Sequence, residues 1–265
     1  MGIRLLLRLL KASILLLQAY IVEAQDWQHV KTIALKKSVT AYASDYKGDF
    51  YLGFADGGFT KYDGNGNLLE NFSLSNTSSI TLIDVQNNLR PFLFYFDIQQ
   101  ITILDRFSAV PKNYHLEDFG IQLGMMACPA PDGDIWVVEN NPQRLKKISA
   151  LRKNTVLEIQ IHLGDSVNKM QAYQNLLFIS HTNGLHMLDQ FGGKIYSFDW
   201  AGILDFQLIG NKVLVSSKKK AIMLNFKGEV EREFSKPELS EGSLKLQERF
   251  LFFEDKKFSL YNYID

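Results

Sequence analysis

The sequence predicts an all-β fold, a six-bladed propeller in a single domain. Three observations carry this: an apolar five-residue run occurs six times, a second run follows each at nearly constant distance, and one strand at the N-terminus is left without a unit of its own. The first runs are Phe50–Phe54, Phe92–Phe96, Ile135–Glu139, Leu176–Ser180, Val213–Ser217 and Phe250–Glu254, each rich in the aromatic and branched residues of a strand covered on both faces.

The second runs begin 8 to 10 residues later, at Phe59, Ile101, Leu145, Leu185, Ala221 and Phe258, and each ends in Asp, Ser or Asn. Several lead into glycine turns such as Asp63-Gly-Asn-Gly66, where a side-chain carbonyl and a residue without Cβ permit a tight reversal. A third run leaves the turn, from Leu68, Lys112, Val156, Lys194 and Glu229, and a leading strand opens each unit near Val39, Ile80, Met125, Lys169, Phe206 and Leu244. Four strands per unit is the geometry of a propeller blade, although strand spacing alone also suits an open β-solenoid or a two-sheet sandwich.

The sixth unit ends at Asp265 after its third strand, while Gln28–Leu35 stands alone. The two should complete each other by pairing Gln28–Leu35 with Phe258–Asn262, because a closed ring removes the open edges that an array of sheets would present to other chains. Val30 and Ile33 are expected to point toward neighbouring sheets.

Before that strand, Arg4, Arg8 and Lys11 precede an apolar stretch and the exit Val22-Glu23-Ala24, the pattern of a signal peptide over 1–24 cleaved after Ala24. Gln18 and Glu23 leave the apolar run too short for a membrane span, and no later stretch is long enough, so the mature domain 25–265 is expected to be soluble. Taking Arg4, Arg8 and Lys11 from 29 basic residues, and Glu23 from 29 acidic, leaves 26 against 28, a balance that argues against a nucleic-acid partner. The run Lys218-Lys219-Lys220 lies between two short strands and reads as a solvated turn. One cysteine, Cys128, excludes an internal disulfide framework and is expected to be buried and inert, and no cysteine follows the signal for lipidation.

Signatures of catalysis and metal binding are missing from the sequence: it has no Gly-x-Ser-x-Gly, His-Glu-x-x-His or Cys-x-x-Cys. Of the histidines His29, His115, His162, His181 and His186, only the last two are neighbours, flanking a turn, and a metal would need further ligands. Asp63-Gly-Asn-Gly-Asn67 opens like a calcium loop but has Leu68 and Leu74 where glycine and glutamate are required. Asn71-Phe-Ser73 and Asn76-Thr-Ser78 match the glycosylation pattern, relevant in a eukaryotic host. The acidic residues Asp45, Asp84, Asp97, Asp132 and Asp165 lie mostly in turns, and no pair is placed within reach. No catalytic residue, metal ligand or cofactor is therefore assigned, and a binding or structural role is expected.

The second unit, Pro91-Phe-Leu-Phe-Tyr-Phe-Asp-Ile-Gln-Gln-Ile-Thr-Ile-Leu-Asp-Arg-Phe-Ser108, resembles a stretch of exported propeller-like proteins of Bacteroidota. Those proteins are similar to the periplasmic Plug component of the type IX secretion translocon, and the resemblance is clearest over residues 80–118. It implies a periplasmic, non-enzymatic protein that closes the mouth of a large outer-membrane pore through a translocon partner, without entering the membrane itself. It brings no catalytic, metal or residue-level binding motif. The alternative is an exported propeller enzyme or a sugar- or lactone-binding protein. Its ligand would lie where the innermost strands converge, near Asp45, Asp84, Asp132 and Asp205.

Overall fold

The structure, a computed structural model, describes residues 27–73, 78–105, 111–164, 166–247 and 249–264. The expected signal peptide, Asn76 and Asp165 lie outside them. Strand β1 (Trp27–Ala34) comes first, then blade 1 with β2 (Val39–Ser44), β3 (Phe50–Phe54), β4 (Phe59–Tyr62) and β5 (Leu68–Phe72). Blade 2 holds β6 (Leu82–Asp84), β7 (Phe92–Tyr95), β8 (Gln100–Ile103) and β9 (Lys112–His115), followed by a 3-10 turn at Leu116–Phe119. Blade 3 is β10 (Gly124–Pro129), β11 (Ile135–Glu139), β12 (Arg144–Ser149) and β13 (Asn154–Gln160). Blade 4 is β14 (Val167–Tyr173), β15 (Leu176–His181), β16 (Gly184–Asp189) and β17 (Lys194–Asp199). Blade 5 is β18 (Asp205–Ile209), β19 (Lys212–Ser216), β20 (Lys220–Asn225) and β21 (Val230–Ser235). Blade 6 is β22 (Gly242–Leu246), β23 (Arg249–Glu254) and β24 (Lys257–Tyr263), with β1 as its fourth strand.

Each blade is an antiparallel sheet, in chain order in blades 1 to 5, and the inner strands adjoin as β2-β6-β10-β14-β18-β22 and back to β2. This is a closed six-bladed propeller, and the solenoid and sandwich are excluded. The second strands are buried along most of their length because each blade is covered by a neighbour on either side. The apolar clusters accordingly lie between blades: Tyr51, Ile83 and Tyr95 pack blade 1 on blade 2, Phe178, Phe206 and Val215 pack blade 4 on blade 5, and Phe50, Leu244 and Phe258 pack blade 6 on blade 1. No helix among the described residues is long and apolar enough to cross a membrane.

The reversals between third and fourth strands in blades 1, 4 and 5 share one device. Oδ1 of Asp63 accepts the N–H groups of Asn65 and Asn67 at 2.9 and 2.8 Å, Asp189 does the same for Phe191 and Gly193 at 2.8 Å, and Asn225 for Lys227 and Glu229 at 2.9 and 3.0 Å. The Asp63 loop is thus a hairpin turn. Just beyond it the outer strand bulges at the same register in five blades, leaving Val30, Leu69, Val156, Ile195 and Glu231 without a partner on the adjacent strand. A bulge twists an outer strand and spoils the flat edge on which another chain would add.

Closure follows the expected pairing with two corrections. β1 runs antiparallel to β24 from Trp27↔Tyr263 to Ala34↔Lys257, beginning one residue before the expected Gln28. Ile33 packs on the cluster between blades 6 and 1 as expected, but Val30 does not point inward: it is the bulged residue and is 39% exposed. The residue that anchors the strand is Trp27, whose ring lies 4.7 Å from Tyr263, 4.9 Å from Phe250 and 5.3 Å from Phe252. Its Nε1 donates to the Ser235 carbonyl at 2.6 Å, and its ring meets Phe234 at 6.3 Å, so one side chain ties the closing strand to blade 5 as well as blade 6. Replacing Trp27 by Ala is expected to cost about 3 kcal/mol by chemical denaturation, the range for emptying a buried aromatic site. A chain starting at Lys37 is expected to melt lower and to self-associate through the uncovered edge of β24; equal midpoints and equal monomer fractions would show that β1 is an appendage.

Candidate functional site at the central channel

In each antiparallel blade the turn between first and second strands and the turn between third and fourth strands lie at the same end. These turns together form one face of the disc, here the mouth face. Its first-to-second loops are unequal: residues 85–91 in blade 2, 45–49 in blade 1 and 130–134 in blade 3, but only 174–175 and 210–211 in blades 4 and 5. Half of the rim is therefore raised. The exposed apolar turn residues on this face are Leu151 (94% exposed), Tyr46 (75%), Phe191 (68%) and Leu89 (58%).

Inside the rim the inner strands enclose a cavity of about 410 Å³, lined by polar groups that include Asp45, Asp84, Lys169, Gln171, Gln207 and Lys245. Gln207 stitches three blades: its Nε2 donates to Ser44 Oγ and to the Lys245 carbonyl, both at 3.0 Å, and its Oε1 accepts the Lys245 N–H at 2.7 Å. Asp45 is committed to its own turn, where Oδ1 accepts the N–H groups of Lys47 and Asp49 at 2.9 and 3.1 Å. Asp84 is buried, and burial pushes its carboxyl above the usual carboxylate range, against the opposing pull of the Gln86 N–H at 3.0 Å and the charge of Lys169.

Toward the opposite end of the channel lies a buried charged cluster. Lys169 Nζ sits 2.9 Å from Asp205 Oδ1, donates to the Phe206 carbonyl at 2.8 Å, and lies 5.7 Å above the Tyr42 ring. Burial, with the Asp205 charge beside it, raises the Tyr42 hydroxyl well above its ordinary pKa. Tyr42 reaches this place because position 242 is glycine, where a Cβ would overlap its hydroxyl. Asp205 Oδ2 is buried without a hydrogen-bond partner among the described residues. Lys236 approaches from the β21–β22 connection, its Nζ 3.0 Å from Ser240 Oγ, and burial pulls its pKa down to about 8 against the pull of Asp205.

Of the acidic residues expected at the convergence of the inner strands, Asp45 and Asp84 line the mouth and Asp205 the deeper cluster. Asp132 does not join them. It occupies the tip of the blade 3 loop, where it pairs with Lys147, because a residue two positions into a five-residue turn projects onto the rim. Asp97 is exposed in a turn on the opposite face. His181 and His186 stack at 4.7 Å with an angle of 12° between rings, and burial lowers the pKa of both. No group of three or more His, Cys, Asp or Glu is placed to hold a metal ion among the described residues. Cys128 is buried as expected, its thiol pKa pushed well up by burial and the Asp84 charge. Lys218 and Lys219 are exposed in the β19–β20 turn, and Lys220 meets Glu233 at 3.4 Å.

No protein-family model matches the chain, and no curated protein matches it by sequence. Among solved structures, it is similar to virginiamycin B lyase from Staphylococcus aureus. The TM-score is 0.58 at 13% identity, covering 89% of this chain and 99% of that one. At that identity the likeness shows the fold alone.

Lys236 gives the channel a pH signature. Below pH 8 the ammonium is charged in folded and unfolded chains alike, and the folded chain bears the full desolvation cost; between about 8 and 10.5 it loses its proton first and gains stability. Lys236→Met is therefore expected to be more stable than the parent at pH 7, by up to about 3 kcal/mol, with the difference shrinking as pH rises through 8 to 10. Urea titrations of both proteins across that range measure it; a constant difference would contradict the shift.

Proposed function

We propose that this is an exported, non-enzymatic propeller that binds a protein partner through its mouth face, and that the partner is an outer-membrane secretion pore whose periplasmic side it closes. The observation that supports this most is the crown of exposed apolar turn residues, Leu151, Tyr46, Phe191 and Leu89, displayed on one face of a rigid disc. Large side chains at turn tips cost solvation unless a second surface covers them, and loops on a fixed scaffold are where recognition is built. The resemblance of residues 80–118 to propeller-like proteins of the type IX translocon supports the choice of partner, and the signal pattern over 1–24 supports the periplasm as its compartment.

The polar mouth cavity favours a second reading, in which a small hydrogen-bonding molecule such as a sugar or a lactone occupies the channel above Asp84 and Gln207. Cross-linking in the native envelope followed by affinity purification separates the two. An outer-membrane β-barrel should be recovered with the protein, and a Tyr46→Ser, Leu151→Ser, Phe191→Ser variant with unchanged melting should recover several-fold less. A protein found only free in the periplasm, with the variant behaving like the parent, would contradict the partner reading.

A further inference from the structure

Beside the channel mouth, the long loops of blades 2 and 3 enclose a second cavity of about 330 Å³ that shares Asp84 and Gln86 with the first. Its lining is mixed, with the apolar side chains of Phe92, Ile103, Pro129 and Ile135 beside the polar Asn87 and Gln174, and its size falls at the lower end of the range for small-ligand sites. At its edge stands Arg90, carried by the longest of the six first-to-second loops.

Arg90 differs from the other described arginines. Arg144 pairs with Glu158, Arg152 with Asp134, Arg249 bonds Asn65, and Arg232 lies 4.6 Å over the Tyr263 ring. The Arg90 guanidinium has no hydrogen-bond or ion-pair partner among the described residues. The two carboxyls on the groove wall do not supply one. Asp134 meets Arg152 at 3.4 Å, and Asp84 is buried, disfavoured as an anion and engaged by the Gln86 N–H. What the groove leaves unmatched is one planar cation beside the apolar side chains of its lining.

We infer that this groove binds a ligand with an apolar body and a terminal carboxylate. The body lies on Phe92, Ile103 and Ile135, and the carboxylate pairs with Arg90, whose fork of N–H donors matches two carboxylate oxygens. The chemistry suits a free apolar acid or the C-terminus of a polypeptide, and it stands whether or not a protein partner covers the mouth face.

The test uses the mature protein with four probes: 4-phenylbutyrate and the neutral 4-phenylbutanol, and acetyl-Ala-Ala-Phe as its free acid and as its amide. Titration followed by NMR should show each acid binding about tenfold more tightly than its neutral counterpart, the scale of one charge-assisted pair. Shift changes should centre on residues 85–91 and 130–134. Arg90→Gln should abolish the preference with melting unchanged, and Arg90→Lys should retain part of it. Tighter binding of the small acid identifies a free metabolite-like ligand, and tighter binding of the peptide identifies a chain end. Equal affinity of acid and neutral probe, an unaltered preference in Arg90→Gln, shift changes elsewhere, or no binding of either acid at millimolar concentration would each overturn the inference.

Discussion

The structure depends on the pairing of β1 with β24, and above all on Trp27. Each blade buries apolar side chains on both faces only because another blade stands on either side, so the arrangement is circular and has no stable end. Blade 6 draws three strands from the C-terminus and one from the N-terminus. Its completion holds blade 5 and blade 1 in register, and the Trp27 indole makes the contact to blade 5 directly through Ser235 and Phe234. A large side chain fully withdrawn from water contributes roughly 1.5 to 3 kcal/mol, which places this residue among the strongest single contributions to closure.

Closure also fixes where polarity can be used. The blade faces are apolar, and the inner edges of β2, β6, β14, β18 and β22 converge on a channel whose side chains must satisfy one another. Lys169 and Asp205 do so as an ion pair, Gln207 by bridging three blades, and Lys236 at a cost that lowers its pKa. A buried pair of this kind adds little net stability, yet removal of one member leaves an unmatched charge and is strongly destabilising. The scaffold can then vary its loops at small cost, and it does so unevenly: blades 4 and 5 turn in two residues, while the longer loops of blades 2 and 3 raise the wall that encloses the Arg90 groove.

Much of this was legible in the sequence, and for local reasons. The runs Phe50–Phe54 through Phe250–Glu254 announce strands covered on both faces, and Asp63, Asp189 and Asn225 announce turns that their own side chains build. Val30 misled because the bulge beside it breaks the two-residue alternation, and the same break concealed Trp27 as the anchor. The channel was hidden for a different reason. Asp84, Lys169 and Gln207 come from three blades and Lys236 from the connection between blades 5 and 6, and only closure of the ring brings them together. The isolation of Arg90 is likewise visible only once the partners of the other arginines are known.

The central claim, that the N-terminal strand is a structural member of the ring, is tested most directly by native-state hydrogen exchange of the protein. Amides of β1 that pair with β24, such as those near Thr32 and Ile33, should exchange with protection close to that of β23 and β24, because strand and blade open together. Rapid exchange across residues 27–34 with full protection retained in residues 249–263 would contradict it, and would mean that the ring closes without its N-terminal strand.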